Sequence, residues 1–504
     1  MSRTTTFERV LIANRGEIAV RIARACREAG IESVAVYSDA DAGSPHVLAS
    51  DRAIRIGPAP ATESYLSIPA ILAAAASTGA EAIHPGYGFL SQNAAFARAC
   101  EQAGVTFIGP PASVLDRMGS KIEARRLMTS SGVPVVPGEI PEDQSDAGVA
   151  GALERVGLPA FVKASAGGGG KGLRIVRTMD AAAEEIRAAR REALAAFADG
   201  SLFVERLIDR PKHIEVQVMA DAHGNVVHLF ERECSIQRRH QKVIEESPSP
   251  SIGPGLRARL AAAAVAAARA AGYRNAGTVE FLVDQASDGS DDAPLYFLEM
   301  NTRLQVEHGV TELVCGVDLV RAQLAVAAGQ PLPWGQDDIA QRGHAIQARL
   351  YAEDPAKGFL PQAGPVLLCR EPHAPGIRID SGIAEGQVIT PHYDPLLAKV
   401  MAWAENRTAA IARLSQALRQ YPVLGLTTNG PFLLRVLEDG DFTTGNVHTG
   451  WLDARQDLLR DTNPPELPSS VLAAVGALEE DTGTSPRGTD SPADPWATLR
   501  SWRG

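Results

Sequence analysis

Three times within the first 110 or so residues a helical pattern is followed by a short apolar run. Residues 9–14, R-V-L-I-A-N, open as a strand. Residues 15–30 then read as an amphipathic helix closed by Gly30, and residues 32–38, E-S-V-A-V-Y-S, as the next strand. The pattern returns in A-I-L-A-A-A-A-S-T-G-A with E-A-I-H-P-G-Y-G at 70–88. It returns again in F-A-R-A-C-E-Q-A-G with V-T-F-I-G-P-P at 96–111. Strands separated by whole helices cannot form hairpins and pair side by side in parallel. Residues 1–108 are therefore expected to make a Rossmann-like α/β domain. Its first turn, Asn14-Arg15-Gly16-Glu17, lacks the three glycines of a dinucleotide-binding fingerprint.

A helix carrying Lys121 fills a linker over 109–135, and S-G-V-P-V-V-P-G at 131–138 marks a boundary. Residues 136–207 hold three strands around one helix, enough for a small lid. Residues 208–455 mix long strands and helices in an α+β order. The tail, 456–504, gathers Pro, Ser, Thr, Gly and acidic residues around one short helical stretch, and is expected to be largely disordered.

The 504 residues leave room for about three domains. A net charge of −11 argues against nucleic acid or an anionic membrane as a partner, and no run of 18 apolar residues occurs. No basic segment followed by an apolar one opens the chain, and five scattered cysteines form no C-x-x-C. Both features suit a cytoplasmic protein. Only seven of the 49 basic residues are lysine, and Lys121, Lys163, Lys171 and Lys242 fall within or beside the motifs below. A chain so rich in arginine keeps lysine where a compact ammonium is useful.

Glu299, Asn301, Arg303, Gln305 and Glu307 alternate with Met300, Thr302, Leu304 and Val306. An extended chain would put the five polar groups on one face. Glu299 and Asn301 are hard oxygen donors about 6.6 Å apart along a strand, which suits Mg²⁺ with sites left for phosphate oxygens. Arg303 offers a bidentate fork for a small planar anion, and Glu307 a carboxylate that can take a proton. A salt-bridged sheet edge would show the same alternation.

A-S-A-G-G-G-G-K-G-L at 164–173 lies between two strand patterns. No helix start follows it to receive a pyrophosphate, and Gly172 stands where a Walker A loop needs Ser or Thr. It reads as a glycine hairpin, Gly167 to Gly170, folding over nucleotide phosphates. Lys163 and Lys121 could neutralise phosphate oxygens. H-I-E-V-Q-V at 213–218 puts His213, Glu215 and Gln217 on one face that reads as solvated. In E-R-E-C-S-I-Q-R-R-H-Q-K-V-I-E-E at 231–246, Lys242 and Arg239 suggest an anion site, and Cys234 a packed thiol.

Seven blocks are collinear over roughly residues 8–450: I-A-N-R-G-E-I-A-V-R-I, H-P-G-Y-G-F-L-S, K-A-S-A-G-G-G-G-K-G, E-C-S-I-Q-R-R-H-Q-K-V-I-E-E, E-M-N-T-R-L-Q-V-E-H, R-G-H-A-I-Q-A-R and Y-A-E-D-P. Together they strongly resemble biotin carboxylase. That resemblance implies an ATP-grasp fold with a Rossmann-like N-terminal domain, a small mobile lid bearing the glycine loop and a C-terminal mixed domain. T-T-N-G-P-F-L-L, G-N-V-H-T-G-W-L and D-P-W-A-T-L-R-S-W-R look like acyl-CoA carboxylase α chains of the methylcrotonyl-CoA or propionyl-CoA kind.

The resemblance implies ATP contacts from Lys121, Lys163, Gly167, Gly168, Gly169, Gly170, His213, Gln237 and His240, with Glu205, Arg206 and Ile208 near the adenine and ribose. It implies Mg²⁺ (or Mn²⁺) on Glu280, Glu299 and Asn301, and bicarbonate on Lys242, Arg303, Gln305 and the backbone of Val306. Glu307 would be the base that readies bicarbonate to attack the γ-phosphate and give carboxyphosphate. Arg349 would bind biotin and stabilise its ureido enolate. Implied partners are a biotin carboxyl carrier protein or domain and a carboxyltransferase β subunit, and a homodimer is also allowed. No lysine here follows a methionine as in the A-M-K-M turn of biotinyl domains, so biotin is expected as a carrier-borne substrate and not attached to this chain.

Two positions depart from the family pattern: Gln92 stands where S-E-N is usual, and Gly309 where E-H-P is usual. Gln92 removes a carboxylate near the expected site, and Gly309 is expected to loosen the backbone after Glu307. These departures keep open a nucleotide-binding regulatory or assembly module without catalysis. Another ATP-grasp ligase is the second alternative.

Overall fold

The computed structural model describes residues 6–165, 172–284, 291–455 and 458. Apart from Leu458, the tail expected to be disordered lies outside them, as do the four glycines of the 164–173 loop.

The first domain is a five-stranded sheet of strands Arg52–Gly57, Glu32–Ser38, Arg9–Ile12, Ala82–His84 and Thr106–Phe107, in that spatial order, and every pairing is parallel. Helices Gly16–Glu28, Pro45–Ala49, Ile68–Thr78 and Ala94–Gln102 lie in the four crossovers. The order of the strands reverses between Arg9–Ile12 and Ala82–His84, so a crevice opens beyond their carboxyl ends. The loops there, Asn14–Glu17 and Pro85–Phe89, are tied together by Asn14, whose Nδ2 donates to the carbonyls of Pro85 and Tyr87 at 2.7 Å each. Gly86 sits at φ +60°, and a Cβ there would meet that same amide at 2.9 Å, so the close approach needs glycine.

Four antiparallel strands, Gly138–Glu139, Leu202–Arg206, Ala160–Ala164 and Leu173–Val176, make a small separate sheet. Two helices, Asp146–Val156 and Met179–Phe197, cover it, where the sequence suggested one. The glycine segment joins Ala160–Ala164 to Leu173–Val176, which pair antiparallel. It is thus a hairpin connection, and the dinucleotide-fingerprint reading is excluded.

The largest sheet has eight antiparallel strands. Their order is Leu295–Asn301, Asn275–Val283, Lys212–Ala220, Val226–Arg238, Gln241–Ser247, His344–Tyr351, Leu396–Ala404 and Ile377–Ser381. The alanine-rich helix Pro254–Ala271 packs on one face against Ile214, Val216 and Val218, where small residues let helix and sheet approach closely. Helix His308–Cys315 contacts the strands at 226–238, 241–247 and 344–351. Strand Lys212–Ala220 is buried along its whole length. Its polar face is not solvated as the alternation suggested, because neighbouring strands cover it: Arg232 donates to Glu215 and Gln217, and Gln237 faces His213. No helix among the described residues is long and apolar enough to cross a membrane.

Candidate active site

Register across the large sheet assembles the site. Glu299 lies opposite Glu280, and Glu280 opposite Glu215; on the next pairing Glu215 lies opposite Arg232. Thr278 pairs with Asn301, so Glu280, Glu299 and Asn301 share one face of two adjacent strands. The alternation read from 299 to 307 does not persist as one strand. The strand ends at Asn301, and the chain turns to place Glu307 at the N-cap of helix His308–Cys315. The turn still converges the same side chains, by a bend instead of a flat face.

Strands Val226–Arg238 and Gln241–Ser247 are joined by a two-residue turn, Arg239-His240, with φ of +49° and +64°. Left-handed backbone at two non-glycine residues is costly, and it holds Gln237 opposite Lys242. Arg239 itself is exposed at the turn and stands apart from the anion site suggested for it. Cys234 is fully buried, and burial pushes its thiol well up, so it is an inert packed thiol.

Two cavities flank this charged sheet face. The first, about 420 Å³, is lined by Lys121, Lys163, Glu205, Arg206, Ile208, His213, Gln237, His240, Glu280 and Glu299, with Phe161, Ile175, Phe203 and Leu282 as apolar wall. Every described residue assigned to ATP contacts is on that list. Glu205 is buried and ion-paired to both Arg125 and Lys163. The Arg206 N–H is already spent on the Pro137 carbonyl at 2.8 Å. His213 Nδ1 faces the Gln237 carboxamide at 2.6 Å, and its Nε2 approaches Glu280 at 3.0 Å. Burial pushes the Lys121 ammonium down, against the pull of Glu299.

The second cavity, about 330 Å³, is lined by Arg303, Val306, Arg349 and Tyr351, and by Asn14–Ile18 and Tyr87–Phe89 of the N-terminal domain. Those loops are the crevice at the point where strand order reverses. In the sequence they stood out only as family blocks and as a turn without the dinucleotide fingerprint. The missed signal was topological, since strand order cannot be read from periodicity.

Between the cavities runs an unbroken chain of charges. Lys242 Nζ donates to Glu215, to Glu280 at 2.8 Å and to Glu307 at 2.7 Å; Arg349 Nη2 donates to Glu307 at 3.0 Å, and its Nε to Glu245. Glu307 is 0% exposed. Burial alone would push its carboxyl up, but Lys242 and Arg349 hold it well below the usual carboxylate range. Glu280 is held low in the same way by Lys242 and His213. Burial also pushes Glu245 up to about 7, against the pull of Arg349. Gln305 Nε2 donates to Glu280 at 3.2 Å, and the Val306 carbonyl accepts from Lys399 at 3.1 Å. The donor set Glu280, Glu299 and Asn301 offers only oxygen and carboxamide groups on one face, chemistry that fits a hard divalent cation.

The two departures take defined places. Gln92 contacts Arg303 and Thr302. Gly309 is buried in helix His308–Cys315, where a Cβ would meet Met401 Sδ at 2.3 Å. The position is tightly packed, which corrects the expectation of loosening.

The chain matches the family models of the biotin carboxylase N-terminal domain over residues 6–115, the carbamoyl-phosphate synthase L chain ATP-binding domain over 120–334 and the biotin carboxylase C-terminal domain over 347–454. It is 49% identical to a biotin carboxylase of Halalkalibacterium halodurans, across 91% of this chain and 100% of that one. It is 51% identical to the mitochondrial methylcrotonoyl-CoA carboxylase subunit alpha of Glycine max, across 91% of this chain but 62% of the relative's length. Among solved structures, one similar fold is the biotin carboxylase domain dimer of Hydrogenobacter thermophilus 2-oxoglutarate carboxylase, in complex with MgADP, ADP and bicarbonate. It has a TM-score of 0.86 and 43% identity, over 91% of this chain and 100% of that one.

Proposed function

The chain belongs to the biotin carboxylase family, and on that premise we propose that it uses ATP and bicarbonate to carboxylate biotin. The observation that carries the reading is the charge chain Glu280–Lys242–Glu307–Arg349, which joins a nucleotide-sized cavity to a second one.

ATP occupies the first cavity with its base against the apolar wall and its phosphates toward Glu280 and Glu299. Lys121 and Lys163 neutralise phosphate oxygens. A divalent cation on Glu280, Glu299 and Asn301 would draw charge from those oxygens. Bicarbonate lies at the junction, on the Arg303 fork, Gln305 and the Val306 backbone. Glu307 takes its proton as the bicarbonate oxygen attacks the γ-phosphoryl group, giving carboxyphosphate and ADP. In the resting state Glu307 is a weak base because two cations hold its charge. It gains basicity when Lys242 and Arg349 turn toward substrate anions, so proton transfer waits for a filled site. Biotin enters the second cavity, where Arg349 stabilises the ureido oxygen as N1 attacks the carboxyl carbon of carboxyphosphate; the C–O bond to phosphate breaks, and the departing phosphate takes up the N1 proton. A closed site protects an intermediate that water would destroy.

Biotin arrives on a carrier protein or domain, and a carboxyltransferase uses the product. Lys399, in the sequence that comes nearest to a biotinyl turn, is 0% exposed within strand Leu396–Ala404, which supports attachment elsewhere. The chain spans 62% of the length of the Glycine max subunit, so the acyl-CoA acceptor belongs to the whole assembly. ADP release measured with MgATP, bicarbonate and biotin tests the reading. Release that needs all three is expected. Release indifferent to biotin would mean another ATP-grasp ligase, and absence of turnover a binding module.

A further inference from the structure

Arg303 differs from the other cations gathered around Glu215, Glu245 and Glu307. Lys242 touches three glutamates, Arg232 is paired with Glu215, and Arg349 with Glu245 and Glu307. Among the described residues no carboxylate lies within ion-pair distance of Arg303. Its Nε donates to Gln92 Oε1 at 2.7 Å. Its Nη1 donates to Gln305 Oε1 at 2.8 Å and to the Leu304 carbonyl at 3.1 Å, and its Nη2 to Asn301 Oδ1 at 3.2 Å. All four acceptors are neutral.

A guanidinium ringed by amide oxygens is oriented without being neutralised. Glu307, Glu280 and Glu299 pull on it from beyond contact distance, but none is paired with it, so its charge stays open to an incoming anion, whereas the charge of Lys242 is already spent on three carboxylates. Gln92 is central to this because it is the one acceptor contributed by the N-terminal domain, just past the Tyr87–Phe89 loop. Its carboxamide is fixed in sense: Oε1 must face the Arg303 donor, and Nε2 donates to Thr302 Oγ1 at 3.3 Å. A carboxylate of the same shape at position 92 would keep the contact to Nε and compete with any anion for the charge.

We propose that Gln92 is a positioning residue that aims the Arg303 fork while leaving its positive charge free for bicarbonate, so that a neutral side chain at position 92 sets the affinity for that anion. The proposal rests on the reading that Arg303 receives bicarbonate. Gln92 is exposed, so substitutions there should leave the fold intact.

The test is steady-state kinetics of the full chain and of Gln92→Glu and Gln92→Met, with free biotin as acceptor, at low and high salt. For Gln92→Glu the KM for bicarbonate should rise about fivefold at low salt, and the rise should shrink as salt screens the new charge. Gln92→Met keeps the length but not the acceptor, and should raise that KM by only about twofold, independently of salt. The KM for MgATP should move in neither. A bicarbonate KM for Gln92→Glu equal to that of the parent would overturn the proposal. So would equal rises for bicarbonate and MgATP, which would mark a merely structural role. A parent whose ADP release ignores bicarbonate would fail at the functional reading itself, and take this inference with it.

Discussion

The two lysines nearest the chemistry sit in opposite electrostatic settings. Lys163, on the small sheet, shares one glutamate with one arginine, and its cavity has an apolar wall that includes Phe161, Ile175, Phe203 and Leu282. Lys242, on the large sheet, is the only described cation held by three glutamates at once, and those glutamates are in turn held by Arg232, His213 and Arg349. On the nucleotide side, charges act nearly one at a time. On the bicarbonate side, Lys242 and the glutamates around it each have several charged partners, so a change at one of them spreads to its neighbours, while Arg303 stands outside that cluster. The difference suits the two tasks. A nucleotide brings its own apolar base and its own charge, whereas bicarbonate is small and needs a ready-made field.

Breaking the shared side at its centre should have the largest effect. Glu307→Gln keeps shape and removes the base, so carboxylation should fall about 10²–10⁴-fold. MgATP should still bind, because Glu307 lies beyond the residues lining the nucleotide cavity. Isothermal titration is the check. Lost MgATP affinity would move Glu307 into the metal-binding set and erase the division between the two sides.

Comparing the two cations of the bicarbonate side sharpens the contrast. Arg303→Ala removes a cation that neutralises no carboxylate, so it should raise the bicarbonate requirement, costing about 2–4 kcal/mol of transition-state stabilisation, with little change in Tm. Lys242→Ala should impair bicarbonate use as well. It also leaves Glu215, Glu280 and Glu307 short of a partner in a buried site, which should cost about 3–5 kcal/mol of stability. Thermal denaturation of the two variants side by side decides it. Equal loss of Tm would mean that Arg303 is as neutralised as Lys242.

The sequence revealed much of this, and unevenly. The parallel N-terminal sheet was legible because each strand is followed by its own helix. The hairpin at 164–173 was legible because strand patterns flank it. Residues 213–218 misled, since alternation shows which side chains share a face but not whether another layer covers it. Glu307 was legible as a candidate base, yet its place at a helix N-cap was not, because the polar alternation runs on past Asn301 while the strand does not. The second cavity was hidden altogether. Asn14 meets Pro85 and Tyr87 through strand order, 71 and 73 residues away in sequence, and no local pattern reports that. The neutral surroundings of Arg303 were equally invisible, since they depend on which oxygen each side chain turns toward it.

Beside Glu307→Gln, Arg303→Ala and Lys242→Ala, Lys163→Met should have the smallest effect, and it tests whether the nucleotide side is as separable as its geometry suggests. Methionine keeps the aliphatic stem, so packing in the strand Ala160–Ala164 is largely preserved. Glu205 retains Arg125 after the change, so no buried carboxylate is left alone, unlike the outcome at Lys242. The expected loss is one charge-assisted contact to a phosphate oxygen, raising the KM for MgATP about tenfold. The bicarbonate KM should not move, and Tm should hold. A parallel rise in the bicarbonate KM would show that the lid lysine is coupled to the Lys242 cluster. The two sides would then be one electrostatic unit, bridged through the phosphates that lie between Lys163 and Glu280.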